Sequence, residues 1–203
     1  MAALQNDARG APRSSLMLRM AKLVCQSGEY LCVVRDVSAD GVGLRFFHTT
    51  PPEPRIILAL ANGATYPVER VWQGKQQAGY RFPNAIDVDE FIHEPAPYAS
   101  REVRLSLRCE ARIEAQRIPY GVTLCDLSKG GAMAECPVHL PVGGRVYLTL
   151  PGEAPRLADV CWRKGDSHGL SFVQPLATGE LAALALSLQP FGQASDEGEV
   201  QAA

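Results

Sequence analysis

Between residues 17 and 174, short apolar stretches are broken by turn residues at intervals of about 8–12 positions, the pattern of an all-β chain. Strands are predicted near 17–25, 29–37, 42–47, 55–60, 66–73 and 78–83, and again near 106–115, 119–127, 131–136, 144–150, 157–163 and 168–174. Alternation supports several of them. Val146, Leu148 and Leu150 fall on one side of a strand, as do Tyr120, Val122 and Leu124, and Ile56, Leu58 and Leu60 repeat the pattern earlier in the chain. After the second set, Leu181, Leu184, Ala185 and Leu188 recur at helical spacing, with Thr178 as the expected N-cap and Pro190 as the stop. A shorter helix is predicted from Asp87 to His93 after the first set.

The two sets are copies of one unit. Asp36-Val-Ser38-Ala-Asp-Gly41 is answered by Asp126-Leu-Ser128-Lys-Gly-Gly131, a D-x-S-x-x-G pattern in both places. Trp72, Gly79 and Phe82 are answered by Trp162, Gly169 and Phe172 at the same offset of 90 positions. Six short antiparallel strands per copy predict a small closed or nearly closed barrel. Asp40-Gly41 and Gly130-Gly131 sit between the second and third strands of their copies and read as tight hairpin turns needing positive φ. The expected organisation is a disordered lead-in at 1–12, a first barrel at 13–94, a proline-marked linker at 95–100, a second barrel at 101–190 and a disordered tail at 191–203.

Composition narrows the chemistry. No apolar run approaches the roughly 20 residues that cross a bilayer, and Met1–Pro12 has no secretory-type apolar stretch, so a cytoplasmic location without membrane insertion is expected. The cysteines (Cys25, Cys32, Cys109, Cys125, Cys136, Cys161) have no CxxC spacing and read as buried reduced thiols. His48, His93, His139 and His168 are scattered, which argues against a metal site. A net charge of −2 argues against DNA or RNA as a partner. Locally, Arg101, Arg104, Arg108, Arg112 and Arg117 cluster among Glu102, Glu110 and Glu114, a balance suited to a small anion. A milder basic stretch holds Arg9, Arg13, Arg19 and Lys22.

Arg104-Leu-Ser-Leu-Arg108 stands just upstream of the second copy. In an extended segment its two guanidinium groups share a face with bases roughly 13 Å apart. Such forks match phosphate oxygens and the O6/N7 edge of guanine. The plain alternative is a solvated strand face paired with Glu102 and Glu110. Asp126 and Ser128, two apart on a strand, share a face and can hydrogen-bond a base or ribose, with Gly131 turning the chain. Equally, Asp and Ser can serve only the turn.

In this order, Arg104 and Arg108, then Asp126, Ser128 and Gly131, then Gly169-Leu-Ser-Phe172 resemble the PilZ domain family over about residues 99–190, and the repeat extends the likeness to the first copy. The resemblance implies two tandem six-stranded antiparallel barrels, each followed by a helix, and binding of the bacterial second messenger cyclic di-GMP without cofactor, metal or catalysis. It implies that Arg104 and Arg108 contact phosphates and guanine edges from a segment that folds over the ligand. Asp126 and Ser128 would bond base or sugar, Gly131 would allow close approach, and Arg101 would add a further contact. Control of motility, surface polysaccharide or attachment through a downstream protein follows from the family as well.

The first copy departs from the pattern. Arg19 falls nearly where Arg108 does, Ser15 stands four positions before it, and Arg13 is at the wrong spacing. Loss of one bidentate arginine lowers affinity by about one to two orders of magnitude. The first barrel is therefore read as degenerate. The expected function is a cyclic di-GMP receptor whose two domains change arrangement on binding. The competing reading is a nucleotide-independent adaptor built on the same barrels. Trp72 and Trp162, present in both copies, point to a core or barrel-surface role. No glycine-rich phosphate loop, nucleophile–base pairing or metal cluster suggests an enzyme.

Overall fold

The computed structural model describes residues 18–51, 53–93 and 102–189. Its first half comprises β1 (Arg19–Cys25), β2 (Gly28–Val37), β3 (Gly41–Phe46), β4 (Arg55–Ala59), β5 (Thr65–Gln73), β6 (Gln77–Arg81) and helix α1 (Val88–His93). The second comprises β7 (Leu105–Ala115), β8 (Ile118–Leu127), β9 (Gly131–Glu135), β10 (Arg145–Thr149), β11 (Arg156–Lys164), β12 (Ser167–Phe172) and α2 (Thr178–Ser187).

Each set of six antiparallel strands closes into a barrel, as the alternation predicts, in the orders β1-β2-β3-β6-β5-β4 and β7-β8-β9-β12-β11-β10. The two connectivities are identical once the second is shifted by six strands. Closure leaves neither sheet with an open edge. The inward positions carry the cores. Ile56, Leu58 and Leu60 are buried in the first barrel, and Val146, Leu148 and Leu150 in the second. Each such side chain contributes roughly 1.5–3 kcal/mol on burial. The lead-in, the linker at 95–100 and the tail at 191–203 lie outside the described residues, as does Pro190.

A helix follows each barrel. In α1, the Asp87 carboxylate accepts the Glu90 N–H at 3.0 Å, and Phe91 is fully buried against Tyr66 and Phe82. In α2, the N-cap is Ala177 rather than the expected Thr178, and Glu180 reaches back to accept the Ala177 N–H at 3.1 Å. The carboxylate three residues in thus satisfies the N–H of the N-cap residue, without a capping hydroxyl.

The glycine signals locate the hairpins, but for another reason than the one expected. Gly41 and Gly131 do not lie at positive φ. A Cβ on Gly131 would stand 2.1 Å from the Leu170 carbonyl oxygen, and one on Gly41 would stand 2.8 Å from that of Tyr80. What each turn demands is close backbone approach to the neighbouring strand. All six cysteines are free. Cys32 and Cys136 are buried as expected, whereas Cys161 is exposed. Burial raises the Cys25 thiol to about 12 and moves Cys32 in the same direction, so neither is a thiolate at neutral pH.

The barrels touch through β1, β2, the start of β7 and α2. Leu31 on β2 sits in the apolar cluster of the second barrel, with Met20 and Phe47 packed against the same cluster. Gln189, buried beyond α2, bonds the β2 backbone twice: its amide accepts the Glu29 N–H at 2.7 Å and donates to the Glu29 carbonyl at 2.7 Å. Among the described residues no helix is long and apolar enough to cross a membrane.

Candidate functional site

Between the barrels lies a cleft of about 970 Å³, in the range of small-ligand sites, roughly 300–1,000 Å³. The first barrel contributes Lys22, Glu29 and the β4–β5 turn. The second contributes the Glu102–Arg104 arm, the hairpin residues Ser128, Gly130 and Gly131, and Trp162 with Gly169. Three residues expected at a binding site, Arg104, Ser128 and Gly131, therefore line one cavity.

Arg104 stands just before β7 and is 55% exposed. Its guanidinium lies 3.4 Å from Asp126 Oδ1 and 3.5 Å from Oδ2. Asp126 is far less exposed, at 13%. Burial raises its carboxyl above the ordinary aspartate value, against the opposing pull of Arg104. Arg104 thus shields a carboxylate that is poorly solvated and held ready to hydrogen-bond.

Arg108 goes elsewhere. Its guanidinium donates to Glu135 Oε2 at 2.6 Å and approaches the Cys125 thiol. The β7–β8 register shifts between Ser106 and Cys109, and the extra residue re-aims the side chains near it. The two arginines consequently stand on two different acids, and Arg108 is not among the residues lining the cleft. Arg101 lies outside the described residues.

Ser128 falls just past the end of β8, so the strand alternation that would set it on Asp126's face stops before reaching it. It is buried, and its hydroxyl donates to the Gly131 carbonyl at 3.2 Å. The turn also closes through Ser128 N–H to Gly131 O at 2.8 Å. Glu102 completes the loop by accepting the Gly130 N–H at 2.7 Å. A backbone N–H at the cleft wall is thus already engaged with an anionic oxygen.

Trp162 is a platform rather than a core residue. It pairs with Gly169 on β12 across a bulge in β11, and a Cβ at Gly169 would stand 2.0 Å from its indole nitrogen. The ring therefore lies flat over the glycine, and it remains 40% exposed. Trp72 and Gly79 repeat the arrangement, with the same 2.0 Å, on the first barrel. The spacing shared by the copies encodes this seat.

At the corresponding places the first barrel is differently equipped. Arg19 pairs with Val34 in the register at which Cys109, not Arg108, pairs with Leu124. Its guanidinium donates to the Phe91 and Ile92 carbonyls at 3.0 and 2.8 Å, fastening the end of α1. Asp36 lies across Gly43, within 2.5 Å of where a Cβ would be, whereas Asp126 faces Met133.

The sequence marks neither Glu29 nor Glu135, and it gives Lys22 no role beyond a basic stretch and Glu102 none beyond pairing with an arginine. Each acts on residues distant in sequence, so no local pattern marks it. Among the described residues no group of His, Cys, Asp and Glu is placed to hold a metal ion.

The model of the PilZ domain family matches residues 98–188. No curated protein matches the chain. Solved structures similar to it include the Borreliella burgdorferi PlzA protein in complex with c-di-GMP, at 13% identity and TM-score 0.34, covering 82% of this chain and 86% of that one. The Bacillus subtilis inhibitor of motility MotI/DgrA gives 12% identity and TM-score 0.33 over 90% of this chain and 96% of that one. YcgR from Escherichia coli in complex with c-di-GMP gives 14% identity and TM-score 0.31 over 91% and 87%.

Proposed function

We propose, from the match of the PilZ domain family model to residues 98–188, that the chain is a cyclic di-GMP receptor that takes the nucleotide at the second barrel, in the cleft facing the first. The observation that carries this reading is the convergence of Arg104, Ser128, Gly131 and the exposed Trp162 on one cavity. Arg104 offers a fork for phosphate or guanine. Trp162 offers a flat surface on which a purine stacks, an interaction worth about 1–3 kcal/mol. The Gly130 N–H is a donor that an anionic oxygen of the ligand takes over from Glu102.

Binding requires both arginines to change partners. Arg104 leaves Asp126, freeing that carboxylate for a guanine edge, and Arg108 leaves Glu135 and swings toward the cleft. The exposed Arg108–Glu135 pair holds only about 0–1 kcal/mol and the Arg104–Asp126 pair is long, at 3.4 Å, whereas charge-assisted bonds to the ligand are worth about 1.5–3 kcal/mol each. The exchange favours the bound state. Because the backbone next to Arg104 is tied to the first barrel through Lys22 and Glu29, movement of the arm carries to the first barrel and changes the arrangement of the two. That change is the signal to a downstream protein. The domain acts as a receptor, not a catalyst.

Calorimetric titration of the chain with cyclic di-GMP tests the reading, beside Arg104→Ala/Arg108→Ala. Saturable binding that falls at least 100-fold in the double variant with unchanged thermal unfolding is expected; no binding by the unaltered chain overturns the receptor. Small-angle scattering with and without nucleotide is expected to differ, and identical profiles at saturation remove the rearrangement. One observation favours the nucleotide-independent adaptor: both arginines already stand on carboxylates, as in a structural surface network. The same titration decides between the two.

A further inference from the structure

The first barrel grips the arm that carries Arg104. The Lys22 ammonium donates to the Arg104 carbonyl at 3.0 Å and to Glu29 Oε2 at 2.6 Å. The same Glu29 oxygen accepts the Ser106 N–H at 2.6 Å. Two side chains thus bond a carbonyl and an amide on either side of Leu105, as the backbone of a neighbouring strand does. Leu105 between them is fully buried. Glu29 is itself fixed from behind, because the Gln189 amide bonds its N–H and carbonyl, and Gln189 also donates to the Ala185 carbonyl at 2.8 Å. Lys22 and Glu29 are mostly covered, with side chains 21% and 15% exposed. The chain of contacts runs from α2, through β2, to the segment next to Arg104.

We propose that the Lys22–Glu29 pair is a positioning device of the binding site: the first barrel holds residues 104–106 extended so that Arg104 is presented to the cleft. This inference rests on the receptor reading and assigns the first barrel a task within it. That barrel holds the cationic arm of its neighbour at low entropic cost to binding.

The sign of one effect separates this from its rivals. Glu29 is a carboxylate lining a cleft meant for a doubly anionic ligand, so Coulomb repulsion alone predicts tighter binding when it is removed. If Lys22 served as a direct phosphate contact, removing Glu29 would free it, and binding would again tighten. Positioning predicts the reverse.

The test uses the full chain as Glu29→Ala and Glu29→Gln, with cyclic di-GMP as the probe. Amide hydrogen exchange at Ser106, read without nucleotide, is expected to accelerate in Glu29→Ala and to be largely restored in Glu29→Gln, whose amide oxygen still accepts the bond. Affinity is expected to fall about tenfold in Glu29→Ala and to recover most of that in Glu29→Gln. Unchanged Ser106 exchange, or nucleotide bound equally or more tightly by Glu29→Ala, overturns the positioning role while leaving the receptor intact. Absence of binding by the unaltered chain overturns the receptor reading and this inference with it. Should Glu29→Ala unfold, Glu29→Leu, which keeps most of the side-chain volume and removes the acceptor, serves instead, with unchanged thermal unfolding of both barrels as the control; slow exchange at Ser106 in that variant overturns the proposal.

Discussion

The two barrels share a scaffold and differ in what their arginines hold. In both, a tryptophan lies on a glycine of the next strand, and a serine backbone N–H closes the hairpin onto a glycine carbonyl at 2.8 Å. In the first, Arg19 is spent on the α1 carbonyls. In the second, Arg104 and Arg108 are exposed and rest on acids. The repeated residues serve the barrel in both copies, and the unrepeated arginines are those the receptor reading gives to a ligand. A motif present in both copies is therefore explained by the barrel alone, while the arginine arm present in one is not.

That contrast can be broken in four places, taken from the largest effect to the smallest. Gly131→Ala pushes a Cβ to 2.1 Å from a backbone oxygen, against 2.8 Å for Gly41→Ala. The first is expected to cost about 3 kcal/mol and the second about 1 kcal/mol, read by urea unfolding; equal costs would mean that the hairpins are interchangeable after all. Arg19→Ala removes two charge-assisted bonds to helix carbonyls and is expected to lose about 1–2 kcal/mol of stability while nucleotide affinity stays constant. Weakened titration by that variant would give the first barrel a direct part in binding.

Glu135→Gln releases Arg108 from its 2.6 Å partner. Affinity is expected to rise about two- to fivefold, the scale of an exposed ion pair, and a fall would place Glu135 among the ligand's own contacts. The smallest effect is pH-linked. Burial raises the folded-state pKa of Asp126, so its ionised form opposes folding at neutral pH. The penalty fades as pH falls through the raised folded value, and it is gone below the unfolded value of about 3.9. Asp126→Asn is thus expected to be the more stable chain at neutral pH, with the gap narrowing in acid. A gap independent of pH would remove the burial argument.

Much of the fold could be read from the chain itself. Alternation such as Ile56-Leu58-Leu60 marks strands because one barrel face is dry, and a repeat at constant offset doubles each such signal. The helix after β12 was legible for the same reason, while its cap was not: Ala177 gives no hydroxyl, and Glu180 does the capping. The site was legible only where its chemistry is local. Arg104, Ser128 and Gly131 meet in the cleft, but the bulge between Ser106 and Cys109 that sends Arg108 to Glu135 depends on strand pairing, which residue order does not display. Lys22 and Glu29 lie far in number from Arg104, Ser106 and Gln189 and meet them only where the barrels dock. The glycines of the hairpin were found for the wrong reason, since a crowded neighbour and a left-handed turn select the same residue.

Leu31 belongs by sequence to one barrel and by packing to the other. A C-terminal fragment cut at the linker would carry an oily socket where that side chain had been. It would be prone to clump, and its dimers would be easily mistaken for biology.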